Sequence, residues 1–213
     1  MTTRLGAILL AGGRATRVDG AAKPLFDVGG RTLLAAAAHA ALAAGARPVT
    51  VVAPVLDEAL PVTWIREDPP FTGPAAATVA ALASWPAADD PDWTLLLACD
   101  LPAVDAAVRR LVADIVLVPA DTDGLCLGDA SSRPQWLIGV YRTRALRAAA
   151  SALPNGGVDA SMRALLDDLA ITVASVPGDL TRDVDTWEDL EEARARAGAA
   201  SAHPPHRASE EPS

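Results

Sequence analysis

ILLAGGRATRVDGAAKPL, Ile8–Leu25, is the stretch on which the fold turns. Its first residues continue an apolar run that begins at Leu5, the mark of a strand buried on both faces. Gly12 and Gly13 then break the run. Without a Cβ, they let several backbone N–H groups approach an anion such as phosphate. Arg14 and Arg17 add two cations, and Lys23 adds a compact ammonium on a flexible stem. Lys23 is the only lysine in the chain, every other long basic side chain being arginine. A lysine kept at this one place suggests that its geometry matters. A Gly-Gly pair after a strand is also an ordinary tight turn, and the pattern is neither G-x-G-x-x-G nor a P-loop.

Outward from this loop, short apolar runs alternate with alanine-rich stretches. Strands are expected at Leu5–Leu10, Pro48–Ala53, Val62–Ile65, Trp93–Cys99, Ile115–Ala120, Gln135–Tyr141 and Ala170–Val176. Helices are expected at Thr32–Ala44, closed by Gly45, and at Pro74–Trp85, Val104–Val112, Arg142–Ala152 and Val158–Leu166. A last helix is expected at Thr186–Ala197, with Thr186 as N-cap and Asp189 three residues on. This alternation predicts an α/β protein with a parallel sheet covered on both faces. From Gly198 the composition shifts to Ala, Ser, Pro, His and Glu, so 198–213 is expected to be a disordered tail.

The chain has 213 residues, and one domain usually takes about 100–200. With 51% hydrophobic residues it can bury a substantial core. A formal charge of −9 argues against nonspecific nucleic-acid binding, which needs a basic footprint. It leaves room for a small anion held by amides and a few local cations. No run reaches the roughly 18 apolar residues of a membrane span. The start of the chain lacks the order of a signal peptide. Cys99 and Cys126 lack metal-ligand spacing, and Cys99 sits in an apolar run. A cytoplasmic, reducing compartment is expected.

Leu10, Ala11, Gly12, Gly13, Arg17 and Lys23 together form L-A-G-G-x-x-x-R followed six residues later by Lys. This resembles the signature loop of the molybdopterin nucleotidyltransferases, which load the molybdenum cofactor with a nucleotide. Asp19 and Ala22 depart from it, standing where that family usually has Gly and Asp. The resemblance implies a three-layer Rossmann-like nucleotidyltransferase fold with a mostly parallel central sheet, over 1–197.

Asp100 follows a buried strand in LLLACDLP, where a carboxylate can hold Mg²⁺, a cation that takes oxygen ligands, or can accept turn amides. The resemblance, through D-[ML]-P, implies the metal role. TRDVDTWEDL matches the D/N-[IV]-N/D-T-P-E-D-L motif at Asp183, Val184, Asp185, Thr186, Glu188, Asp189 and Leu190, with Trp187 for the proline. It implies Asp185 as a second metal ligand, although an aspartate here also suits plain helix capping. Asp68, Gly73 and Pro74 resemble D…GP[LM]AG, with Ala77 replacing the last glycine, and imply a nucleoside pocket. Asp68 is equally suited to an ordinary turn before two prolines. RPQWLIGVYR, carrying Arg133, Pro134, Gly139 and Tyr141, resembles the strand facing the pterin. ASMRALL resembles a helix start where Ser161 and Arg163 meet the acceptor phosphate, and Arg163 is equally suited to a solvated face.

The activity implied is transfer of GMP from GTP to the terminal phosphate of molybdopterin, with Mg²⁺ as cofactor and Arg17, Lys23 and Asp100 as catalytic groups. L-A-G-G is the guanine-side form of the loop and L-A-A-G the cytosine-side form, so CTP is the alternative. A sugar-1-phosphate nucleotidyltransferase and a non-catalytic nucleotide binder are the others. The expected partners are GTP, molybdopterin and, transiently, molybdoenzymes or their chaperones, with no nucleic acid and no membrane.

Overall fold

Every residue of β1 (Leu5–Leu10) is buried, as a strand covered on both faces requires. Alternate side chains serve two different cores. Leu5, Ala7 and Leu9 join one apolar cluster, while Ile8 and Leu10 join the other. This period of two is the geometry of a pleated strand between two helical layers.

The computed structural model describes residues 3–12 and 21–202. After β1 and a 3₁₀ turn at Lys23–Leu25 come a small hairpin, β2 (Asp27–Val28) with β3 (Arg31–Thr32), and helix α1 (Leu33–Ala43). Next are β4 (Val49–Val52), β5 (Thr63–Ile65), α2 (Pro74–Ala83), β6 (Trp93–Ala98) and α3 (Val104–Asp114). The chain continues through β7 (Gly124–Gly128), β8 (Pro134–Arg142), α4 (Thr143–Ala152), α5 (Met162–Leu166), β9 (Ile171–Ser175) and α6 (Trp187–Ala202).

Seven strands form one sheet in the order β5–β4–β1–β6–β8–β7–β9. All pairings are parallel except the two made by β8. Helices α1 and α3 pack on one face, and α2, α4 and α5 on the other. α6 lies outside, where Leu190 and Ala193 bury Val184 and Leu33. From β1 the chain moves outward to β4, then returns to the opposite side of β1 as β6. The carboxyl ends of β1, β4 and β6 therefore meet at a topological switch point, where open α/β sheets collect ligands. Among the described residues no helix is long and apolar enough to cross a membrane.

Several expectations need correction. Ile115–Ala120 is not a strand: Ile115–Leu117 is a 3₁₀ turn closing α3, with Val116 and Leu117 exposed. The strand in that part of the chain is β7, GLCLG, whose glycines weaken its sequence signal. Those glycines answer to packing. A Cβ on Gly124 would come within 2.5 Å of the buried Tyr141 ring, and one on Gly139 within 2.5 Å of the Tyr141 hydroxyl and 2.7 Å of the ring. The sheet is not wholly parallel, because the tight Asp129–Arg133 turn sends β8 back beside β7. In that turn the Asp129 carboxylate accepts the N–H groups of Ser131 and Arg133. The helix expected from Val158 begins only at Met162. α6 runs to Ala202, five residues past the boundary expected at Ala197.

Candidate active site

Leu10, Ala11 and Gly12 leave β1 and form one wall of a cleft of about 310 Å³. Lys23 and Asp100 also line it, with Ala53, Pro54 and Leu56 after β4, and with Arg66, Glu67 and Phe71 at the rim. A second lobe of about 270 Å³ shares Leu10, Gly12, Glu67, Phe71 and Asp100 and extends to Gly73, Pro74, Ala77 and Leu137. Its Gly73 sits at φ +100°, a conformation that favours glycine, and immediately precedes α2. Among the described residues, a Cβ at Gly12 would meet the Val52 carbonyl oxygen at 3.5 Å, an ordinary contact. A methyl there would occupy cleft space without clashing with the described residues.

Lys23 opens the 3₁₀ turn, whose fold is held by the Phe26 N–H donating to the Lys23 carbonyl oxygen at 3.0 Å. The Lys23 Nζ donates to Asp185 Oδ1 at 2.5 Å, across 162 residues of chain. Asp185 reaches this position because its segment is strapped to the sheet. The Val184 N–H donates to the Asp100 carbonyl oxygen at 2.9 Å, and the Val184 side chain is fully buried. Capping of α6 falls to its neighbours: the Asp189 carboxylate accepts from the Thr186 N–H and hydroxyl, and Thr186 Oγ1 accepts from the Asp189 N–H. That is a capping box with aspartate in the usual glutamate place. The two readings of the motif are thus divided between residues, with Thr186 and Asp189 capping while Asp185 faces Lys23.

Asp100 is largely buried, and its carboxyl is pushed up to about 6. Desolvation is the main cause, followed by the negative charge of Asp183; Lys23 opposes both. Asp185 adds a smaller repulsion. The negative charges of Asp183 and Asp185 thus act on Asp100, with the Lys23 ammonium opposing them. Among the described residues no cluster of three or more acids, histidines or cysteines has the closeness of a complete metal cage.

The other expected residues are scattered around this edge. Gly13, Arg14, Arg17 and Asp19 lie outside the described residues. Asp68 is exposed and does not line the cleft, whereas its neighbour Glu67 does. Arg133 lies in the turn leading into β8, next to the strand end carrying Leu137. Ser161 caps α5 by accepting from the Ala164 N–H at 3.1 Å. Arg163 is exposed and pairs with Asp167 one turn on. Cys99 is buried in the cleft wall, where desolvation raises its thiol well above the ordinary range. Sequence reasoning missed the electrostatic part of Asp183 and the rim residues Arg66, Glu67 and Phe71. Only the position of Asp183 two residues before Asp185 could have signalled it.

A mostly parallel three-layer sheet with a glycine-lined cleft at the switch point defines a nucleotidyltransferase fold. A nucleotidyl transferase from Methanothermobacter shares it, with a TM-score of 0.68 at 22% identity, covering 93% of this chain and 100% of that one. Residues 7–171 match the MobA-like NTP transferase domain, and the chain belongs to that family. It is 32% identical over 205 residues to a molybdenum cofactor guanylyltransferase of Bradyrhizobium sp. strain ORS 278, covering 92% of this chain and 94% of that protein. A probable molybdenum cofactor guanylyltransferase of Synechococcus elongatus is 35% identical over 144 residues, which are 64% of this chain and 71% of the relative.

Proposed function

We propose that this nucleotidyltransferase transfers GMP from GTP to the terminal phosphate of molybdopterin, releasing pyrophosphate. One observation carries the reading. Lys23 and Asp100, from two distant motifs, line one cleft with Gly12, and Asp185, from a third, holds the Lys23 ammonium at that cleft. The relatives' names supply the acceptor and the base. The acceptor phosphate is already an anion at neutral pH, so no general base is required of the protein. The chain's work is to hold the two phosphates in line and to stabilise charge on the departing pyrophosphate. Lys23 supplies a positive point charge for that group, and Arg17 is assigned the same task. The Gly12 and Gly13 amides hold the triphosphate. Asp100 and Asp185 are the oxygen donors for Mg²⁺, which when bound neutralises charge on the phosphate oxygens. Arg133, Ser161 and Arg163 are assigned to the acceptor side. A cytoplasmic location and transient contact with molybdoenzymes or their chaperones belong to the same reading.

The test is incubation of the protein with Mg²⁺, molybdopterin and each NTP in turn. Pyrophosphate release and a guanine dinucleotide are expected with GTP. Turnover with CTP alone would replace the base, and nucleotide binding without turnover would replace catalysis with binding.

A further inference from the structure

Resting on that reading, we infer that Phe71 is the stacking surface for the base of the bound nucleotide. Phe71 sits at φ +65°, a left-handed conformation in which a bulky aromatic is rare and glycine or asparagine is at ease. The surrounding loop enforces it. The Glu67 carboxylate accepts the Phe71 N–H at 2.9 Å, Thr72 Oγ1 donates to the Pro69 carbonyl oxygen at 3.1 Å, and the Asp159 N–H donates to the Thr72 carbonyl oxygen at 2.8 Å. A turn alone would be better served by a smaller residue. A strained backbone held this firmly points to a function for the side chain it carries.

The ring's position indicates that function. It remains 52% exposed, so a large part of the side chain stays accessible to a ligand. It lines both lobes of the cleft, joining the Lys23–Asp100 lobe to the one walled by Gly73, Pro74, Ala77 and Leu137. The Arg66 guanidinium lies over the ring, 5.4 Å from its centroid, which helps fix its orientation. A triphosphate gripped at Lys23 and Gly12 has one flat, apolar part to offer such a surface, its base. Stacking is tolerant of base identity but grows with overlap, so a purine gains more than a pyrimidine.

Calorimetric titration in Mg²⁺ of wild type, Phe71→Asn, Phe71→Leu and Phe71→Trp with GTP, CTP and tripolyphosphate tests this. Phe71→Asn should weaken GTP by roughly tenfold or more, the range for loss of one base–aromatic stack. CTP should weaken less, and tripolyphosphate, which has no base, should be unchanged. The melting temperature of Phe71→Asn should not fall, because asparagine accepts the left-handed backbone. Phe71→Trp should restore GTP affinity. Unchanged GTP affinity in Phe71→Asn overturns the inference, as does parallel weakening of GTP and tripolyphosphate, which would mean a damaged loop. If Phe71→Asn melts early, Phe71→Leu against Phe71→Trp decides, and equal GTP affinities overturn it. Failure of wild type to bind any nucleotide would remove the functional reading itself, whatever Phe71 does.

Discussion

Strand β6 carries aspartates at both of its ends, and the two ends are treated in opposite ways. Before the strand, Asp90 receives a two-point grip from Arg147, at 2.8 Å from Nε and 2.5 Å from Nη2. The same guanidinium also donates to the Leu82 and Trp85 carbonyl oxygens at the end of α2. Asp92 beside it accepts the Arg4 N–H at 2.8 Å. After the strand, Asp100 is pressed by two other carboxylates, while Lys23 contacts Asp185 with a single amine. The first end is electrostatically closed and ties α4 to α2. The second sets Asp100 within the influence of two further acids and of Lys23, at the edge of a cleft. Satisfied polar groups stabilise, and crowded ones mark where a ligand's charge is awaited.

Mutations at the two ends should therefore separate activity from stability. Asp100→Asn should lower turnover by roughly a thousandfold, the scale of losing an electrostatic group at the reacting centre. Its melting temperature should stay equal or rise, because the change relieves repulsion. A protein that keeps near wild-type pyrophosphate release would break the contrast. Arg147→Ala should do the reverse, costing about 2–3 kcal/mol by leaving Asp90 and two carbonyls without their donor. Denaturant melts would register that loss, with kcat of the folded fraction unchanged.

Lys23→Arg sharpens the comparison. A planar guanidinium cannot replace a compact ammonium in the pocket against Asp185, and turnover should fall roughly tenfold to a hundredfold. A silent substitution would mean that the solitary lysine is an accident of composition. The smallest effect belongs to the α6 capping box, where Asp189→Ala should cost about 1 kcal/mol. Hydrogen bonding to Thr186 holds the Asp189 carboxyl below its ordinary value. Its contribution is therefore complete above an unfolded-state value near 4 and fades as the pH drops through the folded one. Thermal melts of wild type and Asp189→Ala should converge on acidification, and a constant gap would place the stabilisation elsewhere.

Much of this was legible in the chain itself. Lys23 stood out because no other lysine competes with it, and Asp100 because it follows an unbroken apolar run. The helix bounds at α1 followed from Thr32, whose hydroxyl accepts the Ala35 N–H, and from Gly45. What stayed hidden depends on long-range register. IVLVPA has a strand's composition, but α3 runs into it and leaves Val116 and Leu117 exposed. GLCLG looks like a loop until Tyr141 is folded across Gly124 and Val173 against Gly128. Phe71 carries no local signal, because the cleft that gives it meaning is assembled from the ends of β1, β4 and β6, and Asp183 carries none because it acts on Asp100 only across the fold.

The strap from the Val184 N–H to the Asp100 carbonyl has a consequence for synthesis on the ribosome. A nascent chain halted between Asp100 and Asp185 has its glycine bend and its first acid but lacks the partner that holds Lys23 in place. On the proposed function, catalytic competence therefore arrives late in translation, and a product truncated there is a cleft whose lysine is unanchored by Asp185.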